Sequence, residues 1–211
     1  MQNHTQDIKG RGRPPKQRGD KLLTREMLVH VGTEVLAEKG YSAVGVDEIL
    51  QRTGISRCSF YYYFKTKEGF GAELIDRYRE RVTQKLERCL SDASLSPLAR
   101  LRAFAGEVRD EMAHTRCRSG CLAGKLAQEV NTLPESFREQ LSAVFAEWQA
   151  VFARGLKLAQ ESGEISPDLD CPSTAAYFWY GWEGALQRAN LELDTTPVDI
   201  FIGNFFSRLS G

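Results

Sequence analysis

The sequence predicts an all-α protein in two parts: a three-helix N-terminal domain holding a helix-turn-helix, and a larger C-terminal helical domain. Three observations predict it. Apolar residues recur at three- and four-residue spacing through most of the chain, which lines one side of an α-helix. No stretch shows the strict alternation of a half-buried strand. Pro97, Pro134, Pro167, Pro172 and Pro197 fall at joints between periodic segments, where proline is tolerated as a first-turn residue or a stop.

The first stretch, residues 1–20, is rich in Gly, Pro, Lys and Arg without apolar periodicity, and is expected to be a disordered basic arm. Folded structure is expected to follow. From Thr24, a good N-cap residue, Met27, Leu28, Val31, Val35 and Leu36 mark one amphipathic helix that stops at Gly40. Val46, Ile49 and Leu50 mark a short helix before Gly54, and Ser56 caps a third through Phe64. Two short helices about a glycine turn are the skeleton of a helix-turn-helix, so residues 21–66 form the first domain. Periodicity resumes over 67–90, 97–114, 121–130, 134–161, 173–193 and 198–209, assigning residues 67–211 to the second.

With 211 residues, 42% of them hydrophobic, the chain can bury a sizeable core. No run approaches the roughly 20 apolar residues of a membrane span, and the N-terminus lacks the apolar core of a secretory signal. No membrane association and a cytoplasmic location are therefore expected. The five cysteines (Cys58, Cys89, Cys117, Cys121 and Cys171) are an odd count without small-scaffold spacing, so free thiols are expected. The net charge of zero hides an asymmetry. Residues 1–86 carry 16 Lys and Arg against 11 Asp and Glu, a net of +5 that leaves −5 for the remainder. Chance can divide charge this way, but it also fits a nucleic-acid-facing N-terminal part.

Within the first domain, Ile49, Ile55, Phe60 and Phe64 suit a small core. Arg57, Ser59 and Tyr62 would then lie on the outer face of the third helix, where a guanidinium can bond guanine O6 and N7 and a hydroxyl or ring can meet base edges. Cys58 beside them and Val46 at the start of the second helix are also taken as DNA-facing. In the arm, Arg11-Gly12-Arg13-Pro14 looks like the core of an AT-hook, whose arginines enter a narrow A·T-rich minor groove. A merely basic tail attracting phosphates is the alternative.

The run Gly40-Tyr41 to Leu50, followed by Thr53-Gly54-Ile55-Ser56-Arg57-Cys58-Ser59-Phe60-Tyr61-Tyr62-Tyr63-Phe64-Lys65-Thr66-Lys67-Glu68, resembles the DNA-binding domain of the TetR family of bacterial transcriptional regulators. The likeness is detailed over about residues 22–75, with Cys58 standing where relatives commonly have Gly or Pro. It implies a homodimeric, double-stranded-DNA-binding repressor that is not an enzyme. Its second domain would bind an effector and dimerise, mainly through the last two long helices. The resemblance gives Tyr61, Tyr63 and Lys67 phosphate contacts, which position without reading sequence; partial core packing is the other reading of adjacent tyrosines.

Gly120-Cys121-Leu122-Ala123-Gly124-Lys125 and Phe178-Trp179-Tyr180-Gly181-Trp182-Glu183-Gly184-Ala185 resemble the branch of that family that includes the NemR and AcuR repressors. There the cysteine is associated with a response to electrophiles. Cys121 at a helix N-terminus, with Arg116 and Arg118 near in sequence, would have a lowered pKa; an inert buried cysteine is the alternative. Asn190 stands where relatives often carry Lys. Phe145, Trp148, Phe152, Tyr177, Phe178, Trp179 and Trp182 suit either a pocket or ordinary core. Trp179, Glu183, Gln187 and Asn190 share one helical face and, with Trp148 and Phe152, are the effector-site candidates. Phe178, Trp182 and Ala185 would serve packing or dimerisation. A reversible small-molecule effector is the alternative to an electrophile. His114, Cys117 and Cys121 have helical spacing, but a break between them and the lack of a fourth ligand argue against a metal. No cofactor is expected, and a thiol-dependent enzyme is disfavoured because no orienting group or oxyanion site accompanies a Cys–His pair.

Overall fold

Nine helices and no strand make up the described residues, 18–209 of the computed structural model. The candidate arm residues Arg11 and Arg13 lie outside them. In chain order the helices are α1 (Arg18–Lys39), α2 (Val46–Thr53), α3 (Arg57–Phe64), α4 (Lys67–Leu90), α5 (Pro97–His114), α6 (Leu122–Gln128), α7 (Glu135–Glu161), α8 (Cys171–Glu192) and α9 (Thr196–Ser207). None is long and apolar enough to cross a membrane.

Local signals explain most helix ends. Ser56 caps α3 by accepting from the Ser59 N–H, and Thr66 caps α4 by accepting from Gly69 at 2.9 Å. Pro97 sits in the first turn of α5, where its missing N–H costs nothing. Several starts differ from expectation, with α9 beginning at Thr196 rather than at 198. α1 begins at Arg18, so Thr24 is an interior residue turned into the core rather than the expected cap. α8 begins at Cys171 because Asp170 accepts from the Ser173 N–H at 3.0 Å, which leaves Pro172 in the first turn.

The helices α1 to α3 close around phenylalanines packed edge to face: Phe70, from the start of α4, lies 4.9 Å from Phe60 and 4.7 Å from Phe64. In the larger part α8 packs between α7 and α9, while α4 and α5 cover the other side of α7. Phe178 is the hub there, 4.0 Å from Phe152, 5.5 Å from Trp182 and 5.0 Å from Phe205. Each such side chain removed from water contributes roughly 1.5–3 kcal/mol. The short α6 packs against α1, α4 and α7, and so touches both parts.

Candidate DNA-reading helix and effector cavity

The glycine that separates the two short helices, Gly54, takes φ +66 and caps α2 with its N–H on Leu50. The chain then turns into α3 with Ile49, Phe60 and Phe64 buried and Ile55 half-buried, as their apolar spacing predicts. Arg57, Cys58, Tyr61 and Tyr62 are left exposed. Arg57 is paired with the Asp47 carboxylate of α2, which fixes the guanidinium across the gap between the helices. That hydrogen bond, donated by Arg57 to Asp47, raises the already high Arg57 pKa. Lys21 and Lys65 each lie 5.7 Å from the Tyr62 ring and add positive charge beside it.

Other candidates on this side are partly committed elsewhere. The Ser59 hydroxyl lies 3.0 Å from that of Ser56, inside the helix cap. Val46 is half-buried against the core, and Tyr63 packs its ring between Tyr62 and Phe64 at 5.1 and 6.1 Å. Lys67 turns inward: its Nζ donates to the Tyr41 carbonyl at 2.9 Å and sits 4.1 Å from the Tyr41 ring. Burial lowers its pKa, against the Glu129 carboxylate, which raises it.

Glu129, just past the end of α6, holds this corner from the other side. Its Oε1 accepts from the Tyr41 N–H at 3.0 Å and its Oε2 from the Ser42 N–H at 2.7 Å. The carboxylate approaches so closely that a Cβ at residue 40 would collide with it, and Gly40 itself takes φ +83. The α6 segment thus ends on the turn between α1 and α2.

At its other end lies a cavity system. Cys121 is the N-cap of α6, its Sγ accepting from the Gly124 N–H at 3.4 Å. It lines three spaces at once. One is an open cleft of about 360 Å³ shared with Glu183, Gln187 and Asn190; the second is a cleft of about 370 Å³ shared with Tyr78, Arg81 and Met112. The third is an inner cavity of about 30 Å³ walled by Tyr78, Trp148, Trp179 and Glu183. Trp148 and Trp179 stack at 5.1 Å. Three atoms in this inner wall, Trp148 Nε1, Trp179 Nε1 and Glu183 Oε1, are sealed from solvent without a hydrogen-bond partner. An unpaired buried polar atom costs about 1–3 kcal/mol, so such a group is a site for a bound molecule or ordered water.

Cys121, Tyr78 and Glu183 share the wall of the inner cavity, with the Glu183 carboxylate set against Gly124, the residue whose N–H meets Sγ. Burial pushes Cys121 well above the ordinary cysteine value and the negative charge of Glu183 adds to it, outweighing the Gly124 N–H and Tyr78, which favour the thiolate. The lowered pKa expected from the helix N-terminus is therefore not found, because desolvation exceeds the cap. Burial also raises Glu183 to about 7 and raises Tyr78 well above the usual phenol. The carboxylate lies directly over α6, where a Cβ at Gly124 would collide with it.

The structure brings Cys121, Trp148, Trp179 and Glu183 together around the inner cavity; of these, spacing linked only Trp179 and Glu183. Phe152 is not among the cavity walls; it is buried and stacks on Phe178. Gln187 and Asn190 line only the outer cleft, and Asn190 Nδ2 donates to the Cys117 carbonyl at 2.7 Å, holding a loop where Arg116 and Cys117 take φ +52 and +55. Phe178 and Ala185 pack inside the chain, as does Trp182, which also lines the inner cavity. A third face of α8 is exposed instead, with Tyr177, Tyr180 and Leu191 61, 71 and 72% accessible. Tyr78, Arg81 and Lys85 of α4 also line these spaces and are absent from the residues the sequence suggested; their three- and four-residue spacing was the available signal. Among the described residues no group of three or more His, Cys, Asp or Glu is arranged to hold a metal ion.

Comparison with known proteins agrees with this geometry. Residues 28–74 match the family described as bacterial regulatory proteins, tetR family, and residues 97–205 match the tetracyclin repressor-like C-terminal domain. The transcriptional regulator AcuR of Cereibacter sphaeroides is 44% identical over 195 residues, covering 92% of this chain and 89% of that protein. The HTH-type transcriptional repressor DhaR of Mycobacterium sp. is 30% identical over 185 residues, 88% of this chain and 91% of that protein. A crystal structure of a regulatory protein TetR from Rhodobacter sphaeroides superposes with a TM-score of 0.87 at 43% identity, covering 89% of this chain and 99% of that one. Reduced Escherichia coli NemR shares the fold, with a TM-score of 0.79 at 24% identity over 88% of this chain and 97% of that one. The chain belongs to the TetR family and is a DNA-binding transcriptional regulator of that type.

Proposed function

We propose that the chain acts as a homodimeric repressor on a near-palindromic operator and leaves it when a small electrophile adds to Cys121. The observation that carries this reading is the position of Cys121. Its thiol meets two open clefts and an inner cavity, and it caps a helix whose far end, through Glu129, grips the α1–α2 turn of the DNA-binding domain. A bulky adduct on the cap displaces α6 and with it that grip and the neighbouring α4. The two recognition helices of the dimer then lose the half-site separation that operator binding requires.

On the operator, Arg57, Ser59 and Tyr62 read bases, with Cys58 and Val46 near them, while Tyr61, Tyr63 and Lys67 position the backbone. Ser59, Tyr63 and Lys67 do so only by loosening contacts they hold in the free protein. The exposed Tyr177, Tyr180 and Leu191 of α8 and Ile200 of α9 supply the apolar surface for dimerisation.

A second reading, reversible binding of a non-electrophilic molecule, is favoured by the three unpartnered atoms of the inner cavity, which such a molecule would satisfy. Gel-shift on the DNA upstream of the chain's own gene, with and without a thiol-reactive compound, separates the two. Under the electrophile reading Cys121→Ser binds the operator and is not released by the compound. Release of the variant as readily as the parent discards the covalent mechanism and leaves the reversible one.

A further inference from the structure

Resting on the electrophile reading above, we propose that Glu183 is the proton acceptor for Cys121, taking the thiol proton as the sulfur attacks an α,β-unsaturated carbonyl compound in the cavity.

A buried thiol needs help to react, since only its thiolate is a good nucleophile. The Gly124 N–H meets Sγ at 3.4 Å, and the Tyr78 hydroxyl and the Glu183 carboxyl, the latter set against Gly124, belong to residues that line the inner cavity with Cys121. Of these, Glu183 can take a proton near neutrality, standing at about 7 in its buried position. Its Oε1 lacks a partner, so a lone pair in the inner cavity is free to act. Asn190 is committed to the Cys117 carbonyl and offers no charge.

Charged and titratable groups on the surrounding elements are engaged or set apart from the thiol. From α4, Arg81 lies 5.2 Å from the Tyr78 ring and Lys85 is paired with Glu111 of α5. From α6, Lys125 lines the outer cleft; from α8, Arg188 does so while paired with Glu192. Glu34 of α1 and His114 of α5 line the second cleft, and α7 contributes the neutral Trp148.

The step balances without an oxidant or reductant. A sulfur–carbon bond forms at the β-carbon while the carbon–carbon π bond opens, and its electron pair moves through the α-carbon onto the carbonyl oxygen. The thiol proton passes to the Glu183 carboxylate. Glu183 then returns it to the α-carbon, leaving a saturated thioether and the carboxylate regenerated. The unpartnered indole N–H groups of Trp148 and Trp179 are the donors available to the charge that builds on the carbonyl oxygen.

The test is the rate of Cys121 alkylation by methyl vinyl ketone from about pH 5.5 to 9, followed by peptide mass so that exposed Cys58 is counted separately. The wild-type rate is expected to rise with pH and level off above about 7. Glu183→Gln should react about a hundredfold more slowly at neutrality and climb without levelling, while Glu183→Asp keeps a plateau at a lower rate. Coincident profiles for wild type and Glu183→Gln overturn the assignment to Glu183. Should Glu183→Gln not fold, the wild-type profile decides, and a rise continuing without a plateau to the top of the range overturns it. A Cys121 that methyl vinyl ketone leaves unmodified at every pH overturns the electrophile reading itself.

Discussion

Arg57 leaves the start of α3 already paired with Asp47, so under the proposed base-reading role operator binding exchanges a surface ion pair for contacts with DNA. The cost of that exchange is small because exposed pairs contribute little. Arg57→Ala is therefore expected to lower operator affinity by about tenfold or more and to relax discrimination at one base position, read by competition with single-base operator variants. A uniform loss over all variants would assign Arg57 to the phosphates. Glu183 gives the opposite case, a carboxyl whose ionisation burial delays until about pH 7. Its ordinary value of 4.5 is raised to about 7, so the folded protein binds this proton more tightly than the unfolded chain. The stability it contributes is full below about pH 4.5 and is lost as pH rises through about 7. Urea unfolding should show wild type losing about 3 kcal/mol relative to Glu183→Gln across that window, whereas parallel pH profiles would show an unshifted carboxyl. Trp179 and Glu183 were legible as one face of a helix, and Cys121 as the residue after Gly120. Glu129 was not, because its partners Tyr41 and Ser42 lie far away in the chain and nothing local marks a carboxylate that closes a distant turn.

At the scale of elements, α6 is a single short helix with its two ends in different parts of the molecule. From Cys121 to Glu129 it spans about 12 Å, at about 1.5 Å per residue. Glu129→Ala removes the acceptor from two backbone N–H groups and is expected to cost about 1–3 kcal/mol in urea unfolding. Glu129→Gln, which keeps an acceptor, should lose less. Equal stability of all three proteins would mean that the grip on the α1–α2 turn carries no weight. The periodic pattern and the prolines placed α4 and α5 at their observed ends, Lys67–Leu90 and Pro97–His114. It misplaced the start of α1, because a threonine suited to capping is also tolerated inside a helix when its side chain is buried. The exposed face of α8 escaped notice because Tyr177, Tyr180 and Leu191 carry the same apolar signal as the core.

For the whole molecule, the basic residues 1–86 include the helix-turn-helix and the acidic residues 87–211 include Cys121 and Glu183 of the cavity, with α4 and the grip of Glu129 linking the two. Such a layout works as a switch only if an event at the cavity changes the energy of one arrangement relative to the other. Under the proposed mechanism that event is adduct formation at Cys121. The most direct measurement titrates operator DNA by fluorescence anisotropy with wild type and Cys121→Ser, before and after methyl vinyl ketone, with the adduct located by peptide mass. Loss of wild-type binding in step with the Cys121 adduct, and retention by the variant, is the predicted result. Undiminished wild-type binding at full Cys121 modification would contradict it.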